Sequence, residues 1–125
     1  MALLFPHHSH CRNPWPWKHF TPWEVACGHC GELYLDPASM DALQALRDAW
    51  QRPILINSGH RCAAHNLAVG GAPASRHLEL AFDCRCPKAD QEAFIALARS
   101  AGFTGIGRYA AFVHLDLGPR REWTL

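Results

Sequence analysis

The chain has 125 residues, of which 49% are hydrophobic and 18% charged, and its formal net charge is +1 at pH 7. This length supports one hydrophobic core, and the small net charge argues against a surface for nucleic acids or other polyanions. No apolar run approaches the roughly 20 residues that span a bilayer, and the first residues lack the basic and apolar segments of a secretory signal. We therefore expect one globular domain without a membrane span.

The first residues are rich in His, Pro and Trp and show neither a helical nor a strand period. They predict an irregular N-terminal arm over residues 1–19, ahead of a single domain over residues 20–125. The arm contains a histidine cluster, HHSH, at 7–10. We interpret this cluster as solvent-exposed and without a metal, which is the usual state of a terminal histidine run.

The clearest helix signal is DPASMDALQALRDAW, at 36–50. Asp36 is a suitable N-cap and Pro37 suits the first helical position. Apolar residues then recur at helical spacing, which predicts one buried face. Pro53 is expected to close this helix.

The later elements alternate between strands and helices. Strands are predicted for PILINSG (53–59) and LAFDC (80–84), helices for CAAHNLAV (62–69) and KADQEAFIALARSAG (88–102), and a final hairpin for TGIGRY (104–109) with AFVHLDL (111–117). Strands interrupted by helices and followed by a hairpin are typical of an α+β fold.

Two of the predicted strands carry possible metal ligands. Alternation in FVHLDLG (112–118) places His114 and Asp116 on one strand face. His77 and Asp83 lie in and after the loop that enters the LAFDC strand. Imidazole and carboxylate groups are ligands that zinc uses, and a catalytic zinc keeps a further position for water. Taken alone, the same residues are also compatible with loop polar groups and a hydrogen-bonded core histidine.

Six cysteines lie at positions 11, 27, 30, 62, 84 and 86. The CGHC segment at 27–30 has the spacing of half a zinc knuckle, which Cys62, or Cys84 with Cys86, would have to complete. Because no secretion signal is seen, we prefer reduced thiols to a disulfide framework. A second zinc, or a redox or zinc-knuckle interaction protein built on CGHC, remains an alternative.

The segment INSGHRCAAHNLAVGGAPASRHLELAFDC (56–84), followed by FVHLDLGPRREW (112–123), resembles the M15 zinc peptidases. These are the D-alanyl-D-alanine carboxypeptidases and murein endopeptidases, and the likeness is greatest to subfamily A of M15. The resemblance covers roughly residues 20–123, with several motifs in the family's order. It implies an α+β fold of the DD-peptidase and hedgehog type, in which a small antiparallel sheet holds one catalytic Zn²⁺ and helices pack on the sheet.

The resemblance implies that His77, Asp83 and His114 are the zinc ligands. The segment between His77 and Asp83 is one residue shorter than the family motif, and the missing residue falls at a glycine. We expect the loop to absorb this deletion, since that glycine served a turn. Asp83 then remains the carboxylate ligand, with Glu79 as the alternative.

Further site residues follow from the same resemblance. Arg61 is implied to bind a substrate carboxylate or to stabilise a developing oxyanion, although a structural salt bridge is the alternative. Ser75 is a candidate to bind substrate, to orient a ligand or to cap a turn. Asp116 is a candidate general base or a residue that orients a zinc ligand. His65 and Asn66 are expected to brace the loop around the metal.

The predicted function is zinc-dependent hydrolysis of peptide bonds in peptidoglycan, in stem peptides or cross-bridges that contain D-amino acids. The alternative is a catalytically impaired module on the same fold that binds metal or peptidoglycan. Carboxypeptidase and endopeptidase action both remain open. We expect a monomer whose partner is a peptidoglycan peptide, cytoplasmic as synthesised, with access to a cell wall through a phage-type or other release route.

Overall fold

The computed structural model describes residues 2–125. Within this range four α-helices follow one another: α1 (Pro22–Val25), α2 (Pro37–Trp50), α3 (Ala63–Ala68) and α4 (Gln91–Ala101). Seven strands accompany them: β1 (Leu3–Phe5), β2 (Leu33–Leu35), β3 (Ile56–Ser58), β4 (Phe82–Arg85), β5 (Gly105–Arg108), β6 (Phe112–Asp116) and β7 (Arg121–Thr124). In the described residues no helix combines the length and apolar character that a membrane crossing needs.

The strands form two sheets. Strands β1 and β2 make a small antiparallel pair. The main sheet has the order β3-β4-β6-β5-β7, antiparallel throughout except where β7 runs parallel to β5. The predicted α+β class and the predicted C-terminal hairpin are confirmed, and the parallel edge strand is an addition that the sequence did not indicate.

Helix α2 begins and ends close to the predicted bounds. Pro37 occupies the first turn, and the carboxylate of Asp36 accepts a hydrogen bond from the Ser39 hydroxyl at 2.7 Å instead of capping the backbone. The helix ends before Pro53, at Gln51, which adopts a left-handed conformation with φ of 58°. Its buried residues include Met40, Leu43 and Leu46, which recur at helical spacing and form the predicted buried face.

Helix α4 packs against α2 and covers the main sheet. The ring of Trp50, at the end of α2, meets the ring of Phe94 edge-on at a centroid distance of 5.2 Å. The core then continues into the sheet through buried side chains of β4, β5 and β6, namely Phe82, Ile106 and Leu115. This core fixes the strands whose opposite-facing residues form the candidate site.

The N-terminal half contains more regular structure than the sequence indicated. The arm is not irregular throughout, because Leu3–Phe5 pairs with Leu33–Leu35 and a 3-10 turn follows at His8–His10. The strand Ile56–Ser58 falls within the predicted segment 53–59 and is half-buried, since it lies at the edge of the main sheet. The boundary between an arm and a domain at residues 19 and 20 stays a prediction.

Candidate metal centre

Three side chains from three elements converge on one face of the main sheet. His77 lies in a 3-10 turn, Arg76–Leu78, while Asp83 and His114 face each other as register partners on β4 and β6. Oδ1 of Asp83 lies 3.1 Å from Nε2 of His77 and 3.0 Å from Nδ1 of His114. Each residue offers one ligand atom, and the three atoms lie within 4.8 Å of one another.

His77 is oriented by the backbone of a neighbouring loop. Its Nδ1 lies 2.6 Å from the carbonyl oxygen of Gly59, and because a carbonyl only accepts, Nδ1–H is the donor. The other nitrogen, Nε2, therefore directs its lone pair towards Asp83 in the neutral imidazole. Ser75 fixes the turn that carries His77, since its hydroxyl oxygen accepts from the His77 amide at 3.2 Å.

His114 is oriented in the same way by a buried carboxylate. Its Nε2 lies 2.7 Å from Oδ2 of Asp116, a residue that is only 2% exposed. Asp116 also accepts from the Gly118 amide at 2.8 Å and from both terminal nitrogens of Arg121, at 2.9 and 2.8 Å. When Nε2–H is the donor, Nδ1 of the neutral ring directs its lone pair towards Asp83.

The charges of the group follow from these contacts. Burial raises the pKa of Asp83, but its close contacts with the His114 and His77 imidazoles outweigh burial and lower this pKa to about 2. For His114 burial alone would lower the pKa. Contacts with Asp116 and Asp83 outweigh burial and raise this pKa. The pKa of Asp116 is lowered, because its hydrogen bonds to His114 and Arg121 outweigh burial. Both carboxylates are therefore ionised at neutral pH.

The donor set fits zinc. Two imidazole nitrogens and one carboxylate oxygen are ligands of the types and number found at catalytic zinc sites. Each imidazole also donates an N–H on its other nitrogen to an oxygen acceptor, and this arrangement fixes the tautomer of zinc-bound histidine. His77 and His114 are buried, at 3% and 8% exposure, while Asp83 is half-buried at the cleft.

Beside this group lies a cleft of about 620 Å³, and Arg61 and Ser75 line it. A terminal nitrogen of Arg61 donates to the Ser75 hydroxyl at 3.0 Å, and the Arg61 amide donates to the His77 carbonyl at 2.6 Å. Within residues 2–125 the buried Nε of Arg61 has no hydrogen-bond partner. The structure thus places a guanidinium with unused donor capacity on the wall of the cleft that His77 and His114 also line.

Aromatic side chains also line the cleft. The rings of Tyr109 and Phe112 stack at 4.3 Å, and Trp123 donates its indole N–H to the Tyr109 hydroxyl at 3.1 Å. The Trp123 ring lies 5.3 Å from the ring of His114. Sequence reasoning did not assign these residues to the site. Their position in the sequence, in the turn and the terminal segment that flank the His114 strand, was the signal that could have indicated a role at the site.

Two glycines of β5 allow the C-terminal strand to approach this closely. A Cβ at Gly105 would overlap the carboxylate of Asp116 and the guanidinium of Arg121. A Cβ at Gly107 would lie 2.5 Å from the ring of Trp123. Larger residues at either position would displace β7 and the groups that orient His114.

Asn66 and His65 have different surroundings. Asn66 is buried, donates to the Ala72 carbonyl at 3.0 Å and accepts from the Gly71 amide through its own carbonyl at 2.9 Å, so it braces the loop ahead of Ser75. His65 instead stacks on His29 at 5.4 Å and lines a different cavity. The side chain of His65 therefore lies away from the cleft beside His77, and its expected role in bracing the loop stays a prediction.

Glu79 does not join the three candidate ligands. Its exposed carboxylate pairs with Arg76 at 3.3 Å, and its carbonyl accepts from Nδ1 of His60 at 2.6 Å. His60, to which we assign no role from the sequence, is buried and also bonds Glu32 at 2.7 Å. The shortened loop therefore presents Asp83, and not Glu79, to His77.

The model of the family described as Peptidase M15 matches residues 18–116, which include every member of the candidate metal group and end before β7. Comparison with curated proteins finds no match to this chain.

Proposed function

We propose, because this chain belongs to the peptidase M15 family, that it is a zinc-dependent peptidase whose metal is held by His77, Asp83 and His114. The observation that carries the proposal is the convergence of three electron pairs on one point. Gly59 and Asp116 each accept the N–H on the far side of a histidine ring, so in the neutral imidazoles the nitrogens that face Asp83 carry a lone pair. A bound cation would accept all three electron pairs. Zinc is a suitable cation for two imidazole nitrogens and one carboxylate oxygen.

The roles of the neighbouring residues follow from their positions. When bound, zinc supplies Lewis-acid polarisation of a carbonyl and lowers the pKa of a bound water. Arg61 is proposed to bind a substrate carboxylate or to stabilise charge on the carbonyl oxygen, because its planar fork suits either task. Ser75 holds Arg61 and the His77 turn together. Asp116 is proposed to act through His114, since its buried carboxylate is already engaged.

The proposed substrate is a peptidoglycan peptide that contains D-amino acids, as the resemblance to subfamily A of M15 implies. The open cleft supports a peptide substrate, because its aromatic wall can cover apolar side chains and Arg61 supplies a cation close to the metal group. Such a cation suits a substrate with a carboxylate near the scissile bond, as at the end of a stem peptide.

The test is digestion of purified peptidoglycan by the zinc-loaded chain, with the products identified by mass spectrometry. Release of a terminal D-amino acid indicates a carboxypeptidase, and separation of cross-linked stems indicates an endopeptidase. The matched variant His114→Ala is expected to release neither product. Zinc binding and retention on sacculi without any product would instead establish the impaired binding module.

A further inference from the structure

A second group of metal-binding side chains lies outside the cleft. Cys27 and Cys30 occupy the turn between α1 and β2, and Cys62 directly precedes α3. Their three sulfur atoms lie within 4.8 Å of one another although Cys62 is remote in sequence. Only Cys27 is fully buried, with Cys62 half-buried and Cys30 exposed. Cys27 and Cys30 line a cavity of their own, separate from the cleft beside His77.

The turn around Cys27 and Cys30 is closed by backbone hydrogen bonds. The Cys27 amide donates to the Glu32 carbonyl and the Gly31 amide donates to the Cys27 carbonyl, both at 2.8 Å. Gly31 has a φ of 80°, and a Cβ there would lie 2.5 Å from the His7 ring, so this position requires glycine. The chain is thereby folded back with both sulfurs directed to the same side.

Backbone amides also face the sulfurs. Burial raises the pKa of the Cys27 thiol, but contacts with the backbone of Cys62, Cys30 and His29 outweigh burial and lower this pKa. The amide of His65 donates to the Cys62 sulfur at 3.3 Å. Amides directed at sulfur favour the thiolate, which is the form that binds a metal.

We propose that Cys27, Cys30 and Cys62 bind a structural zinc ion. Three thiolates are the core of the Cys₃His class of structural zinc site, and the imidazoles of His29 and His65 stack at 5.4 Å in the wall of the same cavity. A disulfide accounts for the group less well, since any pairing within it leaves one thiol over. Cys84 and Cys86, which the sequence also offered as completing residues, lie in and next to β4, outside this group.

Such an ion would tie the N-terminal turn to the segment that carries Arg61. Cys62 follows Arg61 directly, and the Arg61 amide is bonded to the His77 carbonyl at 2.6 Å. The zinc would therefore stabilise the backbone on one side of the cleft without taking part in chemistry there. Closing a long loop with a metal also stabilises the folded chain, because a preformed site is absent from the unfolded state.

The site can be tested without interference from the cleft. A chain with His77→Ala and His114→Ala is purified, dialysed against a chelator and analysed for metal. We expect one zinc per chain to remain, and none after the further change Cys30→Ser. The control Cys11→Ser, at a half-buried thiol outside the group, is expected to keep the ion. Cobalt substitution should give a sulfur-to-cobalt charge-transfer band that Cys30→Ser removes.

A second measurement covers the case in which Cys30→Ser fails to fold. Adding a mercurial to the same double variant should release its zinc to a chromophoric chelator, because the mercurial competes for the thiolates. The fourth ligand is identified by whichever of His29→Ala and His65→Ala alters the cobalt spectrum. If neither does so, a water completes the three-thiolate site.

The proposal is overturned if the double variant holds no zinc while all its thiols react at once with a thiol reagent. Mass spectrometry showing a Cys27–Cys30 disulfide in the freshly purified chain would overturn it as well. These results would leave the peptidase proposal untouched, because that proposal depends on His77 and His114. Conversely, an inactive chain that retains thiolate-bound zinc would count against the peptidase proposal alone.

Discussion

His114 and Asp116 project from the same face of β6, and Nε2 of the imidazole lies 2.7 Å from Oδ2 of the carboxylate. Because the ionised carboxylate only accepts, this contact holds the ring in the tautomer that leaves Nδ1 free of a proton. Gly59 imposes the complementary tautomer on His77 through a carbonyl 2.6 Å from Nδ1. The fold thus prepares both imidazoles as ligands before any metal is bound.

Replacing Asp116 by asparagine tests this relationship. The amide can donate to Nε2 of His114, which would move the ring proton to Nδ1 and occupy the ligand position. We expect zinc affinity at the His77 site to fall by about 10- to 100-fold. The affinity is read by chelator competition in a Cys30→Ser background, so that one site is measured. The exposed control Asp48→Asn should match the parent, and an unchanged affinity in Asp116→Asn would show that the carboxylate has no orienting role.

The sequence was informative where the motifs are local and ordered. Strand alternation predicted that His114 and Asp116 share a face, and the structure places them so. The ordered family motifs implied that His77, Asp83 and His114 share one metal site, and the structure brings these three residues together. What alternation could not determine is which of these residues contact each other, because tautomers and hydrogen bonds depend on side chains from several elements.

The features that escaped prediction depend on contacts between distant parts of the chain. Leu3–Phe5 and Arg121–Thr124 are too short to show a period, and each becomes a strand only because a remote partner lies beside it. His65 faces His29 because of how the short helix α3 docks, which its own sequence does not encode. Cys62 approaches Cys27 for the same reason.

Arg61→Lys should separate substrate handling from metal binding. Lysine keeps the positive charge but lacks the planar fork that binds a carboxylate or an oxyanion through two N–H groups. We expect kcat/KM for peptidoglycan peptides to fall by about a hundredfold, with zinc content unchanged. Arg85→Lys, on the exposed surface of β4, is the matched control. Near-normal turnover in Arg61→Lys would show that the arginine is structural or that its charge alone matters.

The choice between Asp83 and Glu79 is decided by two alanine variants. Asp83 lies between the two histidines, at 3.1 and 3.0 Å, whereas Glu79 pairs with Arg76 at the surface. Asp83→Ala should therefore lose the metal of this site, and Glu79→Ala should keep it, as measured by metal analysis in the Cys30→Ser background. The reverse pattern would mean that the shortened loop has shifted the register of β4.

Truncation after Pro119 should destabilise the chain. It removes β7, the indole of Trp123 that packs beside His114, and the guanidinium of Arg121 that bonds Asp116. Loss of a packed tryptophan alone suggests a decrease of roughly 2 kcal/mol or more in the free energy of unfolding. Denaturant unfolding measures it, with Leu125→Ala, whose side chain is 80% exposed, as the control. Equal stability of the truncated chain would show that β7 contributes no packing.

The most direct test of the proposed catalytic site is an anomalous difference map recorded at the zinc edge from crystals of the chain. We expect a peak at about 2.0–2.2 Å from Nε2 of His77, a carboxylate oxygen of Asp83 and Nδ1 of His114. A crystal that shows no peak between these three atoms, even after soaking with zinc, would contradict it.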